Sequence, residues 1–329
     1  MNNTMKNQAC KVSPGTVITG KWHNHSYRIV RELGNGANGI VYLADYQHQQ
    51  VAIKISDNSM SITSEVNVLK HFSQVQGSTL GPSLLDVDDW IRPGQIKPVP
   101  FYVMEYIKGE TLLSFLDKRG REWTAVLCLQ LLSDLDRLHQ EGWVFGDLKP
   151  DNLMVTGHPP RIRCIDVGGT TLKGRAIKEF TEFFDRGYWG AGSRVAEPSY
   201  DLFAVAMILI NSAIPKRFSK SGNTRGIDQL SQVVKTNPDL QKYEKVILNA
   251  LGGHYKTAMD MRRDLVDATS SLNIKSRSDV NQRGTKPVHH QKITRAKRKK
   301  RSHIGGALET FLLLFIVLFG YILYLYGQL

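Results

Sequence analysis

The chain has 329 residues, of which 41% are hydrophobic and 22% are charged, as is ordinary for a globular protein with one large or two small domains. Its three cysteines, Cys10, Cys128 and Cys164, are too few and too scattered for a disulfide framework or a zinc site. The net charge of +13 is uneven, because eleven of the 43 lysines and arginines lie in residues 274–303, where Asp279 is the only acid. The N-terminus also lacks the apolar stretch of a cleaved signal peptide.

The first part of the chain is expected to form a small β-rich unit. Residues 1–24 are polar and predict a loose lead-in. Five short runs with strand-like patterns follow, and apolar residues at helical spacing after a Ser/Thr-rich start predict one helix among them. In chain order these segments read YRIVREL, IVYLADY, VAIKI, SITSEVNVLKHF, LLDVDDWI and VPFYVMEY. We assign residues 25–105 to this unit.

The next part of the chain is mainly helical by the same criteria. TAVLCLQLLSDLDRLHQEG is long and apolar enough for a core helix, and NLMVT and RIRCIDV predict a strand pair beside two acidic loops. Helical patterns continue from YDLFAVAMILINSAI to AMDMRRDLVDATSSL. The prediction is an α+β architecture in which residues 106–273 form the larger, helical unit.

Beyond residue 273 the globular pattern ends. Residues 274–303 have few apolar side chains and are predicted to be disordered. Residues 304–326 are apolar, and the last 17 of them carry no charge, so a helix there would span the roughly 30 Å hydrocarbon core of a bilayer. The cations upstream predict a cytoplasmic N-terminal side and a short extracytoplasmic tail at 327–329. We therefore expect a single-pass, C-terminal anchor in the cell membrane.

A glycine cluster separates the first two predicted strands. It follows the pattern G-x-G-x-x-G-x-V, with Gly34, Gly36, Gly39 and Val41. Because a strand rather than a helix follows, a hairpin over phosphates is favoured over a dinucleotide-binding turn. Thirteen residues later VAIK ends in Lys54, whose ammonium needs an anionic partner if it is buried. Phosphates could provide that partner, and so could Glu65 on the predicted helix, unless Glu65 is an ordinary surface residue.

An acidic loop carries the densest set of reactive groups. DLKPDN places Asp147, Lys149 and Asn152 within six positions, and Asp166 ends an apolar run in IDVGG. Such a loop can hold a nucleophilic hydroxyl, a phosphate and a metal close together, since carboxylate and amide oxygens suit Mg²⁺. A simple turn is the alternative, and the motifs elsewhere in the chain argue against it.

Taken in order, these motifs resemble those of the Hanks-type protein kinase family over about residues 25–273. The resemblance implies a two-lobed protein-kinase fold, ATP with Mg²⁺ as cofactor (Mn²⁺ as a substitute), and protein substrates. The implied ATP site comprises Leu33, Gly34, Gly36, Gly39, Val41, Ala52, Lys54, Glu65, Met104, Glu105 and Tyr106. The implied catalytic residues are Asp147 and Lys149, and the implied metal ligands are Asn152 and Asp166. Lysine at position 149 is the serine/threonine-kinase form, so we predict a serine/threonine protein kinase.

Three motifs depart from the family pattern. The usual HRD triplet reads Phe145–Gly146–Asp147, so the arginine that commonly grips an activation-loop phosphate is missing, and DFG reads Asp166–Val167–Gly168. The APE motif is unclear, because Ala196–Glu197–Pro198 lies too close to Asp201, the expected aspartate of the following helix. Candidate autophosphorylation sites are Thr170, Thr171, Thr181 and Ser193, and autophosphorylation between two copies would imply a dimer.

The basic segment has three interpretations. Its cations could set membrane topology and bind anionic lipid, could bind DNA largely without sequence preference, or could be an inert linker. The residues concerned are Lys292, Arg295, Lys297, Arg298, Lys299, Lys300 and Arg301. The layout resembles the short, C-terminally anchored Hanks-type kinases of spore-forming bacilli, which implies sporulation, a forespore location and DNA as an activating ligand. The rival hypotheses are a small-molecule kinase of the same fold and a catalytically idle DNA-to-membrane tether.

Overall fold

The structure is a computed structural model that describes residues 10–36, 38–74, 80–222 and 224–282. The chain divides into two compact units, Met1–Asp279 and Val280–Leu329, and only the first three residues of the second are described. The predicted basic cluster at 292–301 and the predicted membrane segment at 304–326 both lie outside the described residues. No helix among the described residues is long and apolar enough to cross a membrane.

Six antiparallel strands form the sheet of the N-terminal lobe, in the order β1-β2-β3-β4-β6-β5. They are β1 (Val17–Thr19), β2 (Ser26–Gly36), β3 (Gly39–Tyr46), β4 (Gln49–Ile55), β5 (Leu84–Ile91) and β6 (Pro98–Glu105), and helix α1 (Ser59–Gln74) packs on β5 and β6. The five predicted strands and the helix are confirmed. Strand β1 was not predicted, because it lies in the supposed lead-in and buries only Ile18, which is too little to produce a visible alternation.

The C-terminal lobe is helical, as predicted. Its helices are α2 (Leu112–Arg119), α3 (Trp123–Gln140), α4 (Arg186–Trp189), α5 (Pro198–Ala213), α6 (Gly226–Thr236), α7 (Pro238–Gln241), α8 (Glu244–Leu251) and α9 (Ala258–Gln282). Helix α5 is buried along nearly its whole length and packs against α3 and α8, because apolar residues cover all of its faces. Helix α9 includes residues 274–282, which we had expected to be disordered; they contain no glycine or proline, so nothing in the backbone chemistry ends the helix there.

Short strands in the C-terminal lobe position the acidic loops. They are β7 (Glu110–Thr111), β8 (Trp143–Val144), β9 (Leu153–Thr156), β10 (Arg161–Cys164) and β11 (Thr171–Leu172), which pair as β10-β9-β7 and β11-β8. One hydrophobic cluster joins Leu69 of α1 to Leu148 and Val167 beside the loops and to Ile208 of α5. The same core therefore supports the acidic loops and the helix that carries Glu65.

Candidate active site

The hairpin between β2 and β3 forms one wall of the cleft. Gly36 pairs with Gly39 at its tip, and Gly39 has φ +128°, where a β-carbon would lie 2.4 Å from the carbonyl oxygen of Ile55. A β-carbon at Gly34 or Gly36, in contrast, would meet no protein atom within 4 Å. The hairpin thus leaves open space of the kind that phosphates need. Leu33 and Val41 are partly buried against the main hydrophobic cluster.

Lys54 and Glu65 form the buried pair that their sequence context suggested. Lys54 Nζ lies 2.5 Å from Glu65 Oε2, and the two side chains are only 10% and 3% exposed. Tyr102 donates its hydroxyl to the same oxygen at 2.7 Å, and Ser61 donates to the other at 3.1 Å. Burial and the charge of Glu65 raise the pKa of Tyr102, so the phenol remains a donor. The alternative of an ordinary surface glutamate is wrong.

The predicted adenine-binding residues lie at the end of β6. Met104 is buried and opposes Ala52 of β4 in the sheet register, while Glu105 is the last residue of the strand and Tyr106 follows it. The Glu105 carboxylate accepts hydrogen bonds from Arg163 (Nη2 to Oε2, 2.9 Å) and from the backbone N–H of Ser83, which hold its pKa below the usual range. The Glu105 side chain therefore anchors this strand end to β10.

Asp201 of α5 anchors the backbone of the acidic loop that contains Asp147. The buried Asp201 carboxylate accepts the backbone N–H groups of Phe145 and Gly146 at 2.7 and 2.9 Å, and lies 2.9 Å from His139 Nε2. Gly146 has φ +88°, and a β-carbon there would lie 2.7 Å from the carbonyl oxygen of Gly169. The glycine that stands in place of the family arginine thus tolerates the positive φ and leaves room for the carbonyl oxygen of Gly169.

Asp147, Lys149 and Thr181 form a hydrogen-bonded cluster in the cleft. Lys149 Nζ donates to Asp147 and, at 3.1 Å, to the hydroxyl of Thr181. That hydroxyl donates in turn to Asp147 Oδ1 at 3.1 Å. Thr181 was predicted only as a candidate phosphorylation site, so its contact with both catalytic candidates is new. Asp147 is 7% exposed, which places its carboxylate in a largely water-excluded position.

The two predicted metal ligands lie on neighbouring loops. Asn152 ends a short 3-10 turn, and its carbonyl oxygen accepts the N–H of Ile165, next to Asp166. Asp166 Oδ1 accepts the N–H of Gly168 at 3.0 Å. An amide oxygen and a carboxylate are suitable ligands for Mg²⁺.

A further acid reaches this site from the segment after β11. A β-carbon at Gly168 would lie 3.2 Å from Asp166, 3.7 Å from Glu65 and 3.8 Å from Glu179, so three carboxylates converge there. Asn38 of the glycine hairpin donates to Glu179, and burial together with the charge of Asp166 raises the pKa of Glu179. Such a concentration of acids fits a divalent cation. Nothing in the local sequence distinguishes Glu179 from a surface residue.

Two ion pairs anchor the segment in which the APE motif was unclear. Asp185 is fully buried and accepts the N–H groups of Gly187 and Tyr188, the hydroxyl of Tyr200 and both Nε and Nη2 of Arg194. The buried Arg186 guanidinium pairs with Glu197 at 2.6 Å. Sequence reasoning missed these pairs. The signal available was the presence of two acids and two arginines between residues 185 and 197.

The four candidate phosphorylation sites have different surroundings. Thr170 and Thr171 are buried, Thr181 is partly buried against Asp147, and Ser193 is exposed. Only Ser193 is therefore open to another active site in this conformation. Modification of each of the four stays a prediction.

Comparison with known proteins identifies the family. A family model described as a protein kinase domain matches residues 27–287. The chain is 51% identical to the serine/threonine-protein kinase YabT of Bacillus subtilis over 99% of this chain and 98% of that protein. It is 24% identical to the serine/threonine-protein kinase PrkC of the same organism, of which it spans 42%.

A solved structure shares the fold. The kinase domain of PknI from Mycobacterium tuberculosis superposes with a TM-score of 0.54 at 18% identity, over 78% of this chain and all of that one. Protein kinases of this family use ATP with Mg²⁺ and act on proteins. The chain therefore belongs to the Hanks-type protein kinase family and is a serine/threonine protein kinase.

Proposed function

We propose that the protein transfers the γ-phosphate of ATP to serine and threonine hydroxyls, including its own, with Asp147 and Lys149 as catalytic residues. The observation that carries the proposal is the joint presence of the buried Lys54–Glu65 pair and the Asp147–Lys149–Thr181 cluster in one cleft. The first arrangement suits binding of a triphosphate, and the second suits positioning of a hydroxyl and a transferred phosphoryl group.

Each side chain has a distinct role in this proposal. Asp147 orients the substrate hydroxyl and accepts its proton, and its carboxylate is positioned by the hydrogen bond that Thr181 donates to Oδ1. Lys149 stabilises negative charge on the moving phosphoryl, and Lys54 holds the α- and β-phosphates. Asn152 and Asp166 would hold magnesium, which supplies charge neutralisation at the phosphates when it is bound.

Phosphate transfer from labelled ATP tests these roles. We expect Asp147→Asn to lower the turnover number by about 10²- to 10⁴-fold, the range of general-base catalysis, and Lys54→Ala to abolish most labelling. Asp151→Asn is the matched control, because Asp151 lies in the same loop but is exposed and pairs with Arg217. Label that persists unchanged in both variants would contradict the assignment. Labelling of small alcohols but of no protein would instead support the small-molecule kinase.

We further propose that the kinase is held at the membrane by residues 304–326, with the catalytic lobes in the cytoplasm. Support comes from the 17 uncharged residues at the end of that segment and from the eleven cations that precede it. The similarity to YabT along almost the whole chain is consistent with a shared layout. Resistance of the kinase to alkaline carbonate extraction from membranes, lost when residues 304–326 are deleted, is the expected result.

The cations of residues 275–301 are proposed to bind DNA or anionic lipid and so to modulate the kinase. If about six phosphates are engaged, the log–log plot of DNA affinity against salt should have a slope near −5. Replacing residues 297–301 with glutamine should flatten that slope and remove stimulation by DNA. Stimulation by anionic vesicles alone would assign the segment to lipid, and an affinity insensitive to salt would contradict both. DNA retention without any kinase turnover would identify an idle tether.

A further inference from the structure

The turn between β1 and β2 carries two histidines that contact β5, an edge strand of the N-terminal sheet. The kinase mechanism does not use these residues. His23 Nδ1 lies 2.7 Å from Asp86 Oδ1, and His25 Nδ1 lies 2.9 Å from Asp86 Oδ2. Asp86 is nearly buried, with its side chain 8% exposed, whereas the two imidazoles are about half exposed. One ligand atom from each of the three residues lies within 4.8 Å of the others.

From this arrangement we propose that His23, His25 and Asp86 form a binding site for a transition-metal ion of the zinc class. Two imidazoles and one carboxylate are the donor set that Zn²⁺ uses in sites with an open fourth position. Four ligands at about 2.0–2.2 Å from zinc lie about 3.4 Å apart, so small rotations of two exposed rings would bring these atoms into coordination. A metal ion takes the lone pair of each Nδ1, so each imidazole would bind it as the neutral tautomer that carries its proton on Nε2.

The backbone of the turn is built to hold the two rings on one side. Gly20 N–H donates to the carbonyl of His25 at 2.9 Å, and Asn24 between the histidines has φ +58°, a conformation that asparagine tolerates better than most residues. Asp88 is fully buried at its side chain and accepts the N–H groups of Trp22 and His23. Asp88 therefore anchors the backbone of the turn, while the shorter contacts of the two imidazole rings are with Asp86.

Asp86 also has the supporting contacts of a metal ligand. The hydroxyl of Tyr27 donates to Asp86 Oδ2 at 2.6 Å, and the N–H of Val87 donates to Oδ1 at 2.8 Å. With the contacts of His23 and His25, these hydrogen bonds occupy both carboxylate oxygens and fix the orientation of the Asp86 side chain. Hydrogen bonds of this kind orient a metal ligand and raise affinity for the ion.

The local charge also favours a cation. Asp86, Asp88 and Asp89 lie within four positions of β5, and the ammonium of Lys21 in the neighbouring turn lies over the ring of Trp22 at 4.2 Å. A bound ion would join the β1–β2 turn to β5, one of the two edge strands of the sheet. It would reinforce a contact that already exists, because the N–H of Lys21 donates to the carbonyl oxygen of Asp89 at 2.8 Å.

Zinc binding by the full-length, chelator-treated kinase tests the proposal. Equilibrium dialysis with Zn²⁺ should be done in excess Mg²⁺, so that the cleft ligands are occupied. We expect the wild-type protein to retain one zinc ion per chain. The double variant His23→Ala, His25→Ala should lose that ion. His254→Ala, which removes an exposed histidine of the other lobe, and Asp166→Asn, which alters the cleft, should both keep that ion.

Two results would overturn the proposal. One is the absence of stoichiometric zinc on the wild-type chain, and the other is equal zinc content in the double variant and wild type. Kinase activity of the double variant in Mg²⁺, compared with wild type, establishes that the variant is folded. If the double variant does not fold, anomalous scattering at the zinc edge from wild-type crystals replaces it. A peak between the three side chains supports the site, and its absence there overturns it.

Discussion

On the N-terminal side of the cleft, Lys54 is positioned by one carboxylate, Glu65, whereas on the C-terminal side Asp147 is positioned by a loop that several distant groups anchor. We call these the nucleotide half and the transfer half. In the nucleotide half a side-chain ion pair, 2.5 Å long and almost fully buried, links β4 to α1. In the transfer half Asp201 and Asp185 bind backbone N–H groups and thereby hold whole segments. Disruption of the first should change ATP binding, and disruption of the second should change stability or turnover.

The largest effect is expected from Asp185→Ala in the transfer half. This change leaves two N–H groups, the buried Tyr200 hydroxyl and Arg194 without their acceptor, and should lower the free energy of unfolding by about 3–5 kcal/mol. Urea unfolding measures it. The control Asp239→Ala removes a carboxylate that pairs with Arg121 at the surface, where a loss of less than about 1 kcal/mol is expected. Equal losses would mean that Asp185 is not an anchor.

Glu65→Gln tests the nucleotide half. The substitution leaves the Lys54 ammonium without its carboxylate, and loss of a charged hydrogen bond of about 1.5–3 kcal/mol predicts a fall in kcat/KM for ATP of about 10- to 100-fold. We expect most of the change in KM for ATP. Glu110→Gln is the control, because Glu110 pairs with Lys118 on the exposed surface. A change confined to turnover would show that the pair does not act on nucleotide binding.

Thr181→Ala should have the opposite kinetic signature. The hydroxyl joins Asp147 to Lys149, so its removal takes away a contact that positions both side chains. We expect turnover to fall by about tenfold, which corresponds to the lower end of the energies of charged hydrogen bonds, with KM for ATP unchanged. Thr181→Ser keeps the hydroxyl and should retain most of the activity. If the serine variant were as slow as the alanine variant, Thr181 would act through the packing of its methyl group rather than through its contact with Asp147.

The smallest effect is expected from Glu179→Gln on the stability of the nucleotide-free protein, measured as a function of pH. The pKa of Glu179 is raised in the folded protein, so the nucleotide-free fold binds more protons than the unfolded chain between the two pKa values. Stability should therefore fall as pH rises from the ordinary glutamate value of 4.5 through the raised value. Glutamine should remove that part of the decline in thermal-unfolding scans. An unchanged pH profile would contradict the raised pKa.

The sequence predicted most of the nucleotide half and less of the transfer half. Lys54 and Glu65 lie eleven residues apart on a strand and the following helix, so hydrophobic pattern and charge chemistry together locate their pair. Asp185 and Thr181 depend on contacts with Tyr200 and Asp147, which are separated from them by 15 and 34 residues and by irregular backbone. Neither local pattern nor charge alone indicates such contacts. His23, His25 and Asp86 were missed for the same reason, since about sixty residues separate the turn from its strand.

Gly146 has a consequence for how control of this kinase can change over evolutionary time. Its φ of +88° and the carbonyl oxygen of Gly169, 2.7 Å from the site of a β-carbon, leave no room for a larger residue unless the chain at Gly169 moves. Gly146→Arg alone would therefore strain the loop before it could offer a cation to a phosphorylated segment. A phosphate-responsive arginine at this position would therefore come with backbone strain or with a shift at Gly169, and a second change that relieves either one should make it better tolerated.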